Sequence, residues 1–207
     1  MSVYSSTNKA WFRITAIVLF AAIILCAVYW FLQGTDPLPK IKKAPEFSLQ
    51  NLKGQQVKLS ETNGKVRLVE FFFANCPDIC PVTTSNMVLM QNNLKKKGTF
   101  GSKVEFLSVT FDPERDTPEA LEKYASALGI EQGVGWQLLR GSEQDVLKTA
   151  NDFGIMAVKQ KDGQFVHSIR SLFLIDQEGT IRKVYDMGEG MDNEIIEKAI
   201  KQLVKAS

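Results

Sequence analysis

The chain is poor in cysteine and histidine and carries almost no excess charge. Three cysteines stand among 207 residues, at positions 26, 76 and 80, and His167 is the single histidine. So few thiols cannot staple a small secreted scaffold, which excludes a disulfide-dense framework. Charge of one sign is also lacking. Of 25 basic residues two, Lys9 and Arg13, fall in the first 34 positions, where there is no acid, and the 23 left are matched by 23 acidic residues. A neutral domain offers no concentrated basic face, which excludes nucleic acid as a partner. Internal repeats and low-complexity tracts are absent too. The 44% hydrophobic and 23% charged content is that of a globular chain, with room for one ordinary domain and an appendage.

The appendage is the one long hydrophobic run. Ile14 to Leu32 is 19 residues without a charge, enough at about 1.5 Å rise per residue to cross a hydrocarbon core. Trp11 and Phe12 precede it and Tyr29, Trp30 and Phe31 close it, the placement of interfacial anchors. A cleaved signal peptide is the alternative, but the run exceeds a usual apolar h-region and lacks a small-x-small cleavage pattern at its end. Acylation of Cys26 fits less well, because Leu25 stands where a small residue is needed and the chain after Cys26 stays apolar. Cys26 reads as a small hydrophobe within the span. With Lys9 and Arg13 before the run and Asp36 the first charge after it, the positive-inside rule keeps residues 1–13 in the cytoplasm, spans 14–33 and exports the rest. Gly34, Pro37, Pro39, Pro45 and three lysines describe an extended tether over 34–46, which leaves 47–207 as the domain. No arginine- and serine-rich transit region precedes the span. That argues for a bacterial inner membrane, with the domain on the periplasmic or outer face.

Phe47-Ser48-Leu49 and Val57-Lys58-Leu59 alternate around Lys53-Gly54 and predict a hairpin. Val66 to Phe73 and Val104 to Phe111 are mostly apolar runs, the pattern of buried strands. Pro81 predicts a helix from there to about Lys97, whose closing lysines complement the dipole. Thr117-Pro118 starts another helix with a single cap, since Ala120 rules out a reciprocal capping box. Trp136 to Leu139 is a short strand, Ser142 to Phe153 a helix, and Ala157 to Val166 a hairpin turning at Asp162-Gly163. Leu172–Asp176 and Thr180–Tyr185 pair around Glu178-Gly179, and Asn193 to Val204 closes the chain as a helix. Strands alternating with helices, then a hairpin and a helix, imply an α/β fold: a mixed sheet flanked by helices in the thioredoxin-like arrangement, behind an N-terminal transmembrane helix.

The domain's two cysteines sit in Phe71-Phe72-Phe73-Ala74-Asn75-Cys76-Pro77-Asp78-Ile79-Cys80-Pro81, where a buried strand turns into a helix. Pro81 disfavours helical dihedrals at the residue before it, so Cys80 is expected at the cap with the helix starting after it. Free N–H groups and the positive end of the dipole are then expected to favour thiolates, the form that binds metals and exchanges disulfides. Thioredoxin-type oxidoreductases place two residues between their cysteines. Three stand here, which permits a disulfide and leaves room for an ion between two sulfurs. An inert disulfide is the bland reading. A lone histidine is usually filler, but His167 ends a strand just before Leu172–Asp176, and in thioredoxin-like folds the loop leading into that strand lies beside the cysteine motif. Thioredoxins carry a cis-proline there, whereas Val166 to Phe173 has no proline and offers a histidine. Two thiolates and an imidazole make a soft set of low coordination number that suits Cu(I) and tolerates Cu(II). Structural zinc takes four ligands as a rule, and a carboxylate such as Asp78 or a water would have to complete them.

CPDICP after an apolar strand, FDPERDTPEAL over 111–121, and VHS followed by LFLIDQEG resemble the Sco/SenC family across roughly residues 44–205. The resemblance implies a copper-binding metallochaperone with ligands Cys76, Cys80 and His167. Such a protein assists assembly of the dinuclear copper centre of cytochrome c oxidase by delivering copper, reducing cysteines, or both. Its implied partners are the oxidase's copper-bearing subunit, a copper donor and a thiol reductant. The chain departs from commoner members at Phe165-Val166, where an acidic residue is frequent before the histidine, so the local electrostatics differ. Asp112 and Arg115, on the same sheet edge as the cysteines, are expected to orient the loop bearing the site or a partner, and Asp78 to tune the charge of the thiols. A polar loop with a helix cap is the plainer account of 112–116, and a solvated helix end that of Lys95 to Lys97. The alternative function is thiol–disulfide reduction through Cys76 and Cys80. A peroxiredoxin, a family that shares the fold, is the third and least favoured alternative, because Phe73 stands where that motif needs Thr or Ser.

Overall fold

A computed structural model describes residues 6–32, 38–77, 79–159, 165–167 and 171–206. They fall into two compact units, one up to residue 37 and one from Leu38 onward.

The first unit is helix α1 (Ser6–Leu32). Its stretch Trp11–Val28 has a mean hydropathy of 2.4 and is long and apolar enough to cross a membrane. The Thr15 hydroxyl donates to the carbonyl oxygens of Trp11 and Phe12, both at 3.0 Å, so this polar side chain is satisfied within the helix.

The second unit holds β1 (Lys42–Lys43), β2 (Ser48–Asn51), β3 (Gln56–Lys58), β4 (Val66–Phe72), α2 (Ile79–Lys96), β5 (Val104–Thr110), α3 (Pro118–Leu128), β6 (Trp136–Arg140), α4 (Glu143–Asp152), β7 (Ala157–Lys159), β8 (Phe165–His167), β9 (Ser171–Ile175), β10 (Thr180–Asp186) and α5 (Asn193–Lys205). Eight strands form one sheet in the order β1-β10-β9-β4-β5-β6-β2-β3, and β7 pairs with β8 apart from it. The centre is parallel: Val66 to Phe72 of β4 face Val104 to Thr110 of β5, and β5 runs parallel to β6. All fourteen residues of β4 and β5 are buried, as parallel strands covered on both faces must be, and that explains their continuous apolar runs. β9 joins β4 antiparallel and forms a hairpin with β10, while the β2–β3 hairpin extends the sheet beyond β6. This is the mixed sheet of the sequence reading.

Local signals place the helix starts. Thr117 caps α3 by accepting the Ala120 N–H at 3.2 Å, with Pro118 at the first helical position. Ser142 and Asp192 cap α4 and α5 in the same way. Residues 38–46, assigned by composition to the tether, run along the domain: Lys42 and Lys43 pair with Ile181 and Thr180 of β10, and Arg182 donates to the carbonyl oxygens of Leu38 and Pro39 at 3.0 and 3.1 Å. Lysines and nearby prolines suit a sheet edge, where one row of backbone groups meets water.

Phe71 organises the core around the site. Its ring centroid lies 5.8 Å from Phe111, 5.3 Å from Phe153 and 6.4 Å from Phe173. It thereby ties the end of β4 to the ends of β5 and α4 and to β9. The mostly apolar β4 also hides two charges, Arg67 and Glu70. The Arg67 Nη atoms donate to the carbonyl oxygens of Thr62 and Lys65 and to Asn63 Oδ1, while its Nε is buried without a partner. Burial lowers its guanidinium to about 10, while Asp176 and Glu105 work in the other direction.

Candidate functional site

β4 ends at Phe72, and the chain turns through Phe73-Ala74-Asn75 into Cys76. The Cys76 N–H donates to the Phe73 carbonyl oxygen at 3.2 Å. The Ala74 N–H donates to the Asp116 carboxylate at 3.1 and 3.3 Å, and the Thr110 hydroxyl donates to the same group. Asp116, buried beyond the end of β5, therefore moors the arm that carries Cys76. Burial raises its carboxyl above the ordinary value, against the pull of those bonds.

The helix after the loop begins at Ile79, so Cys80 and Pro81 are inside its first turn. This corrects the expectation of Cys80 at the cap. The first four N–H groups of a helix have no partner within it, so proline costs nothing there as a donor. Burial of Ile79 and Cys80 outweighs the weak dihedral bias at the residue before proline.

Cys76 and Cys80 are both buried and not joined in a disulfide, Cys76 at the rim with 9% exposure and Cys80 with none. The structure also corrects the expectation of two thiolates. A hydrogen bond with Cys76, burial and the charge of Cys76 push the Cys80 thiol far up, with a hydrogen bond from the Phe73 backbone in part opposing. Cys76 is the sulfur nearer to solvent.

Beneath the pair lies a polar chain that the sequence reading missed. Trp136 Nε1–H donates to Ser108 Oγ at 2.8 Å, and the Ser108 hydroxyl donates to Glu70 Oε1 at 2.6 Å. Neighbouring registers on β4, β5 and β6 align the three. Glu70 is 1% exposed, and burial raises its carboxyl from 4.5 to about 7, with Ser108 in part opposing. In the unfolded chain this carboxyl ionises near 4.5. Between about pH 4.5 and 7 the folded state keeps a proton that the unfolded state has lost, so stability falls as pH rises through that window, by about 3 kcal/mol in total. Glu70→Gln keeps an acceptor for Ser108 and is expected to remove this part of the slope. Urea unfolding of both proteins near pH 5 and near pH 8 checks it, and parallel losses in the two would contradict it.

Asp112 is buried at the C-terminal end of β5, beside the end of β4, where the Phe111 N–H donates to the Phe72 carbonyl oxygen at 2.8 Å. Arg115, largely exposed, pairs with Asp112 at 3.4 Å. Asp112 thus reaches the sheet end that carries the cysteines, and Arg115 stands outside it. Asp78 lies outside the described residues. His167 is placed by its backbone in β8 opposite Ala157 of β7. The turn at Asp162-Gly163, the side chains of β8 and residues 168–170 lie outside the described residues.

A mixed sheet with a dithiol at the junction of its central strand and first covering helix defines a thioredoxin-like dithiol protein. Within that class the chain belongs to the SCO1/SenC family, whose model matches residues 35–205. It is 30% identical over 200 residues to the SCO1 protein homolog of Bacillus subtilis, covering 94% of this chain and 95% of that one. The structure of BsSco, described as a member of the Sco family of cytochrome c oxidase assembly proteins with a disulfide switch, is 28% identical. It has a TM-score of 0.70 and covers 84% of this chain and 98% of its own. Yeast Sco1 with copper bound is 27% identical with a TM-score of 0.65, covering 81% of this chain and 91% of its own.

Proposed function

We propose that this chain is a membrane-anchored copper chaperone of cytochrome c oxidase assembly, holding its cargo through Cys76, Cys80 and His167. The observation that carries this is the pair of unbridged, hydrogen-bonded thiols at the strand-to-helix junction of a domain alike over its whole length to Sco proteins, one of them copper-bound. Two thiols and the domain's single histidine form the soft donor set that suits Cu(I) and accommodates Cu(II). Helix α1, long and apolar enough to span, supports a single-pass anchor in a bacterial inner membrane, with the domain on the periplasmic or outer face. Cargo passes to the thiols of the oxidase's copper-bearing subunit by exchange of ligands. Asp112 or Arg115 orients the loop bearing the site or a partner, and Asp78 tunes the charge of the thiols.

The test is anaerobic copper titration of the reduced full-length chain in detergent beside His167→Ala. Equimolar binding that weakens more than about 10-fold without the imidazole is expected, the least that losing a ligand should cost when its outer neighbours alone are worth 10–100-fold. Binding indifferent to His167 would leave a bare dithiol.

A second reading, thiol–disulfide reduction, is favoured by the unequal burial of the pair. Cys76, nearer to solvent, attacks a partner disulfide, and Cys80 then gives up its proton and resolves the mixed disulfide. That reading requires both cysteines and leaves His167 dispensable.

A further inference from the structure

The two arms of the cysteine loop are held from different sides. Asp116 moors the arm bearing Cys76. The arm bearing Cys80 is held by the connection between β10 and α5. In that connection the Gly188 N–H donates to Thr83 Oγ1 at 2.9 Å, and the Thr83 hydroxyl donates to the Ile79 carbonyl oxygen at 2.8 Å. One buried hydroxyl thus links the connection to the peptide unit joining Ile79 to Cys80. Gly188 has φ +85°, and a Cβ there would stand 2.8 Å from Ile79 Cγ1. Both facts call for glycine at this contact. Asn86 Nδ2 adds a bond to the Gly188 carbonyl oxygen at 3.4 Å, and Asn193 Nδ2 donates to Asn86 Oδ1 at 3.0 Å. Thr83 has no exposed surface. Its hydroxyl takes and gives one bond each, so removing it strands the buried Gly188 N–H.

We infer that Thr83 and Gly188 form a latch that positions Cys80, so that the reach of its sulfur is set by the β10–α5 connection, 105 residues away in sequence. This inference deepens the copper reading and rests on it only for its metal readout. The same latch governs the competing fate of the pair, in which two thiols and glutathione disulfide yield the Cys76–Cys80 disulfide and two glutathione thiols. Disulfide formation must draw Cys80 onto Cys76, and the latch resists that movement of the first turn of α2.

Thr83→Val keeps the shape and removes the hydroxyl, and Thr83→Ser keeps the hydroxyl. In the full-length chain Thr83→Val is expected to weaken copper binding about 10-fold, the lower end for groups that hold a ligand in place. It is also expected to shift the glutathione equilibrium about 10-fold toward the disulfide, about 30 mV for this two-electron couple. Thr83→Ser should stay within about twofold of wild type in both. Should Thr83→Val fail to fold, Asn86→Ala loosens the same connection from the helix surface and is judged by the direction of the same two readings. A Thr83→Val protein that is less stable yet unchanged in copper affinity and glutathione equilibrium would overturn the latch. Wild type that binds no copper, with Thr83→Val still shifting the disulfide equilibrium, would sink the copper reading and leave the latch standing.

Discussion

Full-length chain carrying Cys80→Ala is expected to lose equimolar copper binding, its affinity falling more than about 100-fold. That bound is the upper end of what removing a mere neighbour of a metal ligand costs. The reason lies in the geometry of the proposed site. Cys80 has no exposed surface and its thiol hydrogen-bonds to Cys76, which leaves Cys76 and His167 as the remaining proposed ligands. Alanine is also small enough to sit in the first turn of α2 without displacing Ile79 or Pro81, so the loss reports on ligation rather than on folding. A competition titration against a chromophoric Cu(I) chelator measures it, and affinity within about 10-fold of wild type would remove Cys80 from the ligand set. Binding must also displace a proton held well above the usual thiol range, so wild-type affinity should rise with pH while the alanine variant shows a shallower rise.

The second large effect is on stability. Phe71→Ala should cost about 3–5 kcal/mol, the range for truncating a well-packed buried aromatic. Phe71 is 2% exposed and its ring meets those of Phe111, Phe153 and Phe173, contacts that add to the area it buries. The hole would open where four elements converge, and Phe153 and Phe173 already pack on each other at 5.1 Å. They cannot fill it without giving up that contact. Urea denaturation should show the midpoint falling at an unchanged slope, and a loss below about 1 kcal/mol would mean that the core closes over the gap.

Phe71 and Cys80 also mark what was readable before any coordinates. The buried strand, the helix after it and the cap at Thr117 were legible because each is written in a few adjacent residues. The same holds for the hairpin strands around Asp162-Gly163, found as β7 and β8. Interactions between distant residues were not legible. Asp116 holds Ala74 across 42 residues, Trp136 meets Ser108 across 28, and Gly188 meets Thr83 across 105. Glu70 and Arg67 stand inside a strand whose apolar pattern gave no reason to ask what a charge would do there. The start of α2 shows a local rule losing to packing: the bias against helix at the residue before proline is small, and burying Ile79 and Cys80 outweighs it. The cysteine pair itself was plain from its spacing and context, whereas the upward push on the Cys80 thiol comes from its hydrogen bond with Cys76 and its burial, which spacing does not reveal.

The two borders of the eight-stranded sheet have a bearing on crowding. One border is β1, two lysines long, and the other is β3, three residues ending in Lys58. An incoming strand that paired with either border would lie along Lys42 and Lys43 or beside Lys58, and would have to bury ammonium groups there. Copies of this domain packed side by side on a surface should therefore collide without knitting into a shared sheet. The lysines at the two borders thus work against fusion of the domain with its own kind.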